Sequence, residues 1–228
     1  MVKDTIKLNQ IDVEAHHELQ PHNFASNIDF SGKEYHENLK STLALTLEQQ
    51  TGLSIQSMGQ ATAKPVLRGY TGDRFLLTEN GITIGDLSNT SIDHAISIDM
   101  ASFNNVRVIR GPESLLFGSN TIGGVIDVSR QSNLDLRFKK ISFLSLVGTE
   151  SSNESAFGNF TLYLPVNSQH QFRLSLLERN SGNQNSPVGV LDNTDLSNNE
   201  LAVSYSYFGK SHRSTLYFEQ TKMDYGIP

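Results

Sequence analysis

Apolar and polar side chains alternate through residues 132–228 in runs of about ten residues, and that period of two belongs to β-strands. Leu201, Val203, Tyr205 and Tyr207 fall on one face, and Ala202, Ser204 and Ser206 on the other. Phe172, Leu174 and Leu176 alternate with Arg173 and Ser175, and Leu216 with Phe218 repeats the rhythm. Five strands are expected, at 140–148, 155–166, 169–179, 200–208 and 213–222. Asn167-Ser168 and Gly209-Lys210-Ser211 make short connections, whereas 180–199 is long and polar. Two architectures share this pattern. One is a soluble β-sandwich. The other is the wall of an outer-membrane barrel, with short turns at one end and long loops at the other.

Bulk properties narrow the function classes. The chain has 228 residues, no Cys and no Trp. Without Cys there are no disulfides, no thiol chemistry and no Cys-ligated zinc. A net charge of -6 argues against a nucleic-acid partner, which calls for a basic face. No run of about 18 apolar residues encodes a transmembrane helix. The first seven residues, Met1 to Lys7, lack the apolar core of a signal peptide, so a mature or shortened form of an exported protein is expected. Modest hydropathy is compatible with a membrane barrel, whose lipid-facing and lumen-facing residues average out.

Residues 1–22 are polar and read as a mobile arm, with His16, His17 and His22 solvated. Residues 23–131 read as an α+β unit. Ser31 and Glu34 have capping-box spacing at a helix start. A second helical stretch at 42–50 ends before Gly52, although the alternation of Leu43, Leu45 and Leu47 also fits an extended segment in part of it. Asn80-Gly81 between apolar runs signals a hairpin, since both turn residues need positive φ. Further strands are expected at 105–109 and 124–128.

The order of short β-rich runs and Arg-Gly turns carries a resemblance. It runs Pro65-Val66-Leu67-Arg68-Gly69, Asp73 to Leu77, Asn80-Gly81, Val106 to Gly111, Pro112 to Gly118, then Ile122-Gly123-Gly124-Val125-Ile126-Asp127-Val128. This string resembles the plug domain of TonB-dependent outer-membrane receptors. The resemblance implies an α+β plug domain, a small mixed β-sheet with short helices, at 23–131. Residues 132–228 would then be the first strands of an incomplete transmembrane β-barrel, since plugged transporters use about 22 strands. The chain is accordingly expected to be the amino-terminal part of a longer receptor in the outer membrane of a Gram-negative bacterium. Its expected partners are TonB, outer-membrane lipid and a transported metal or metal chelate.

The same resemblance assigns roles to residues. Asp4, Thr5, Ile6, Lys7 and Leu8 resemble the box that recruits TonB by adding a strand to a sheet edge. Arg68 and Arg110 resemble a lock that pairs with carboxylates on the barrel wall, a task suited to a planar, permanently charged guanidinium. Each could instead satisfy nearby turn carbonyls. Asp93 and His94, in the segment from Ser88 to Asp99, resemble the metal ligands of a zinc-importing branch. The plain alternative is a solvated loop in which Asp93 caps a turn. A ferric siderophore, haem, cobalamin or a glycan are alternative cargoes. Outside the family, a soluble secreted β-rich binding module is the alternative. The glycines at 118–124 lack the Lys of a phosphate loop, and no arrangement of nucleophile and base points to an enzyme or a resident cofactor.

Overall fold

The computed structural model of the chain describes residues 27–85, 88–130 and 137–228. The expected arm, with Asp4 to Leu8, lies outside the described residues. The amino-terminal unit begins with strand β1 (Ile28–Ser31) and helices α1 (Gly32–Glu37) and α2 (Leu43–Leu47). It continues with β2 (Leu53–Gln56), β3 (Lys64–Leu67), β4 (Leu76–Glu79), β5 (Ile82–Thr83), β6 (Asn105–Ile109) and β7 (Val125–Ser129). A five-stranded sheet runs β1-β6-β7-β4-β5, in which β4 and β7 are parallel and the other pairs antiparallel. Strands β2 and β3 form a separate ribbon.

The order follows from the side chains. Val125, Ile126 and Val128 have no exposed surface, as expected of an apolar strand flanked on both edges. Ile126 and Val128 meet Val106 and Val108 of β6, Leu77 of β4, and Tyr35, Leu43 and Leu47 of the helices in one core. Each such buried aliphatic side chain contributes about 1.5–3 kcal/mol. Asn80 and Gly81 turn β4 into β5 at φ of 51° and 78°, the left-handed pair that the Asn-Gly signal calls for. The buried Asp127 carboxylate pins that turn by accepting from Gly81 N at 2.8 Å, from Thr78 at 2.7 Å and from Arg107 at 3.0 Å. Helix α2 is capped by Thr42, whose Oγ1 accepts from Leu45 N. Ser31 does precede α1, but its side chain makes no capping bond, so the expected box is absent. Gly124 has φ of 125°, and a Cβ there would stand 2.6 Å from the Ile109 carbonyl oxygen.

Five long strands follow: β8 (Ser142–Glu150), β9 (Ser155–Pro165), β10 (His170–Ser181), then β13 (Leu196–Phe208) and β14 (Arg213–Tyr225) beyond a hairpin of β11 (Gln184–Ser186) and β12 (Gly189–Leu191). They pair antiparallel in the order β14-β13-β10-β9-β8, leaving β8 and β14 as open edges. Lengths of 9 to 13 residues suffice for a tilted strand to cross a bilayer. Short turns at 166–169 and 209–212 gather at one end, and the long 182–195 connection lies at the other.

The polarity of this sheet is inverted relative to a water-soluble protein. Its buried face, against the amino-terminal unit, carries Asn159, Thr161, Gln171, Arg173, Ser175, Arg179, Asn198, Ser204 and Ser206. The outward face carries Phe143, Phe172, Leu176, Val203 and Phe218, with Phe218 61% exposed. Near the short turns, His170, Phe172, Tyr205, Tyr207 and His212 pack ring against ring. An outward apolar band edged by aromatic residues is the surface of a lipid-facing strand. A β-sandwich would bury its apolar face, so that alternative is excluded.

Candidate functional site

The chemistry of this molecule concentrates where the globular unit meets the polar face of the long strands. Arg130, directly after β7, is 5% exposed. Its Nε donates to Glu79 Oε1 at 3.2 Å, its Nη1 to Glu200 of β13, and its Nη2 to Glu219 Oε1 of β14 at 2.8 Å. The guanidinium also lies 4.4 Å from the Phe103 ring centre and 5.9 Å from that of Tyr217. One side chain thus ties β4 of the globular unit to two neighbouring long strands. Burial raises the Glu79 pKa above the ordinary glutamate value, against the opposing pull of Arg130.

A second tie runs in the opposite sense. Asp99 of the globular unit receives Arg179 of β10 through two parallel bonds, Nε to Oδ2 at 2.6 Å and Nη2 to Oδ1 at 3.0 Å. The two side chains are 2% and 1% exposed. Asp99 Oδ1 also accepts from Ala101 N, capping the 3-10 turn Met100–Ser102. Arg179 stacks 4.3 Å over the Phe157 ring. A forked pair of this kind fixes angle as well as distance. Gln60 adds a neutral tie, donating to the Gly182 carbonyl at 2.9 Å and accepting from Asn153 at 2.7 Å.

The segment from Ser88 to Asp99 lies at the long-loop end. Lys64 Nζ donates to the carbonyls of Ser88 and Ser91. Tyr225, at the end of β14, accepts from Ala95 N at 3.1 Å and donates to the Asp93 carbonyl at 3.4 Å. Ala61, Ala95 and Leu196 pack beneath it with Met223. Asp93 and His94 are half-buried. His94 Nδ1 bonds Thr90 Oγ1 at 2.9 Å. A hydrogen bond from Ser91 holds the Asp93 carboxyl below its usual range, and Asp93 Oδ1 has no hydrogen-bond partner among the described residues. No group of three metal-ligating side chains is assembled among the described residues.

Arg68 and Arg110 converge on Gly52, whose Cβ would stand 3.8 Å from Arg68 Cγ and 3.9 Å from Arg110 Nη2. Arg68 is exposed. Arg110 is buried and donates to the Thr51 carbonyl at 2.8 Å. Burial, then the neighbouring Arg68 charge, lowers the Arg110 pKa. Among the described residues, no ion pair joins either to a carboxylate of the long strands. The observed ties use Arg130, Glu200, Glu219, Asp99 and Arg179 instead, which sequence reasoning missed. A signal was present for two of them: Glu200 and Glu219 share the inward register with Ala202 and Ser204.

A globular unit tied by buried ion pairs to the polar face of an outwardly apolar sheet defines the plug and wall of a plugged β-barrel. Residues 24–125 match the TonB-dependent Receptor Plug Domain family. Over 88 residues the chain is 32% identical to the vitamin B12 transporter BtuB of Photobacterium profundum, covering 38% of this chain and 14% of that protein. Over 87 residues it is 32% identical to a hemin receptor of Yersinia pestis, covering 38% of this chain and 13% of that protein. Among solved structures, the copper transporter OprC superposes with a TM-score of 0.70 at 19% identity, covering 81% of this chain and 28% of that one. The siderophore receptor PirA of Acinetobacter baumannii gives 0.64 at 13% identity, covering 86% of this chain and 31% of that one. Residues 24–125 thus form a TonB-dependent receptor plug domain, and antiparallel wall strands follow it.

Proposed function

We propose that this chain is the amino-terminal part of a receptor for active uptake of a scarce ligand across the outer membrane of a Gram-negative bacterium, and that it catalyses no reaction. One observation carries the reading: a polar inner wall grips a plug through buried ion pairs while its apolar face turns outward. That polarity calls for lipid outside and a filled lumen inside. Five strands enclose nothing, and further strands would close the wall, as in plugged transporters of about 22 strands.

In this reading Asp4 to Leu8 recruit TonB by strand addition. Arg68 and Arg110 form a further lock with carboxylates elsewhere on the wall. The cargo we favour is a metal ion, zinc first, met from the plug side by Asp93 and His94. A carboxylate and an imidazole suit zinc, and loops of the remaining wall would supply the other ligands. Zinc here is cargo rather than a resident cofactor. A second reading, haem or cobalamin, draws support from the two relatives named for those ligands, which are similar over 88 and 87 residues.

Uptake by cells carrying the complete receptor, with and without TonB, tests both levels. The expected result is TonB-dependent zinc accumulation that falls sharply in Asp93→Ala and His94→Ala. Uptake indifferent to TonB would overturn the receptor function. TonB-dependent uptake of haem or cobalamin, with no zinc uptake, would keep the receptor and replace the cargo.

A further inference from the structure

Four arginines are buried among the described residues: Arg110, Arg130, Arg173 and Arg179. Arg130 and Arg179 hold carboxylates, and Arg110 holds a backbone carbonyl. Arg173 differs. It sits on the plug side of β10 and is 6% exposed, and its Nε has no hydrogen-bond partner among the described residues. Its cross-strand neighbours, Tyr163 and Ser204, are both neutral. It lines a cavity of about 190 Å³ at the seam between plug and wall. His36 and Asn104 approach from the plug, Asn159, Thr161 and Tyr163 from the wall, and no lining residue is acidic.

A guanidinium keeps its charge when desolvated, so this one needs a counter-charge more than a change of protonation. A buried charge without a partner is strongly destabilising. The space is of the right order: at about 30 Å³ of liquid volume per water, it accommodates an inorganic oxyanion with part of its hydration shell. The planar fork suits two oxygens of a carboxylate or phosphate. The amide of Asn159 and the hydroxyls of Thr161 and Tyr163 bring further polar groups to the same wall. We infer that the seam cavity around Arg173 is a binding site for a small free oxyanion of the phosphate or carboxylate type.

The test uses the complete receptor in detergent and a zwitterionic buffer, titrated with inorganic phosphate and, separately, acetate. Calorimetry reads binding, and a thermal melt reads stabilisation. The wild type is expected to bind phosphate saturably, one per chain, with a rise in Tm. Arg173→Gln should lose both responses, while Arg74→Gln, which changes an exposed arginine, should keep them. Arg173→Met guards against misfolding, because removing an unpaired buried charge should leave the unliganded fold at least as stable while abolishing the phosphate response. A wild type without saturable phosphate binding, or equal binding by Arg173→Gln, would overturn the inference.

Discussion

Removing Arg179 leaves the Asp99 carboxylate enclosed at 2% exposure, with Ala101 N and the long Asn198 contact at 3.4 Å as its remaining partners among the described residues. Breaking one side of a buried ion pair costs about 3–5 kcal/mol, because the surviving charge stays buried. Arg179→Met keeps the aliphatic stem over Phe157 and deletes only the charged fork. Asp99→Asn in the same chain removes the stranded charge and preserves the cap on Ala101. The double variant should therefore recover most of the loss and fall about 1–2 kcal/mol short of the wild type, the value of the missing hydrogen bonds. Amide hydrogen exchange of the Met100–Ser102 turn in the complete receptor reads this directly. At about 1.4 kcal/mol per tenfold, exchange in Arg179→Met should accelerate by roughly two to three and a half orders of magnitude, and the double variant by about one. Exchange within a few fold of wild type in Arg179→Met would refute the claim that this pair holds the plug. A double variant worse than the single would refute the attribution to a stranded charge.

Gly124→Ala should destabilise the plug by about 2 kcal/mol or more, because the new Cβ meets the Ile109 carbonyl oxygen and Leu67 at a φ that alanine avoids; a lowered Tm of the plug transition checks this. Phe218→Arg places a charge on the outward face of β14 and should cost about 2–4 kcal/mol if that face meets mid-bilayer, read as reduced folding into liposomes with little change in plug exchange. Glu79 has a raised pKa in the folded state, so its contribution to stability is complete below the ordinary value of 4.5 and is lost as pH rises through the folded value. Glu79→Gln should therefore lose less stability than the wild type as pH rises just above 4.5, measured by denaturant unfolding across that range.

The long strands were legible because a period of two survives any detail of packing. Observed β10, His170–Ser181, overlaps the run whose alternation at Phe172 to Leu176 announced it. The Asn80-Gly81 hairpin was legible because only local backbone chemistry decides it. The direction of the alternation was not. A pattern of apolar and polar faces is symmetric, and only a partner on one side shows which face is inside. The Arg130 and Asp99 ties were illegible for a related reason: their partners lie 70 to 89 and 80 residues away, and pairing depends on the register of strands that sequence places only to within a few residues. Arg68 and Arg110 stood out because they precede glycines, a local signal, whereas Arg130 carries no such flag. The missing side-chain bond at Ser31 shows the limit of spacing rules: the helix starts where expected, yet the hydroxyl does not turn inward.

The tie at Arg130 also polices alignment during assembly. Sliding β13 by one residue against its neighbours would carry Glu200 into hydrocarbon and set Leu201 against the guanidinium. Lipid and arginine thus reject the same mistake from opposite sides, and a nascent wall is proofread by the two media it separates.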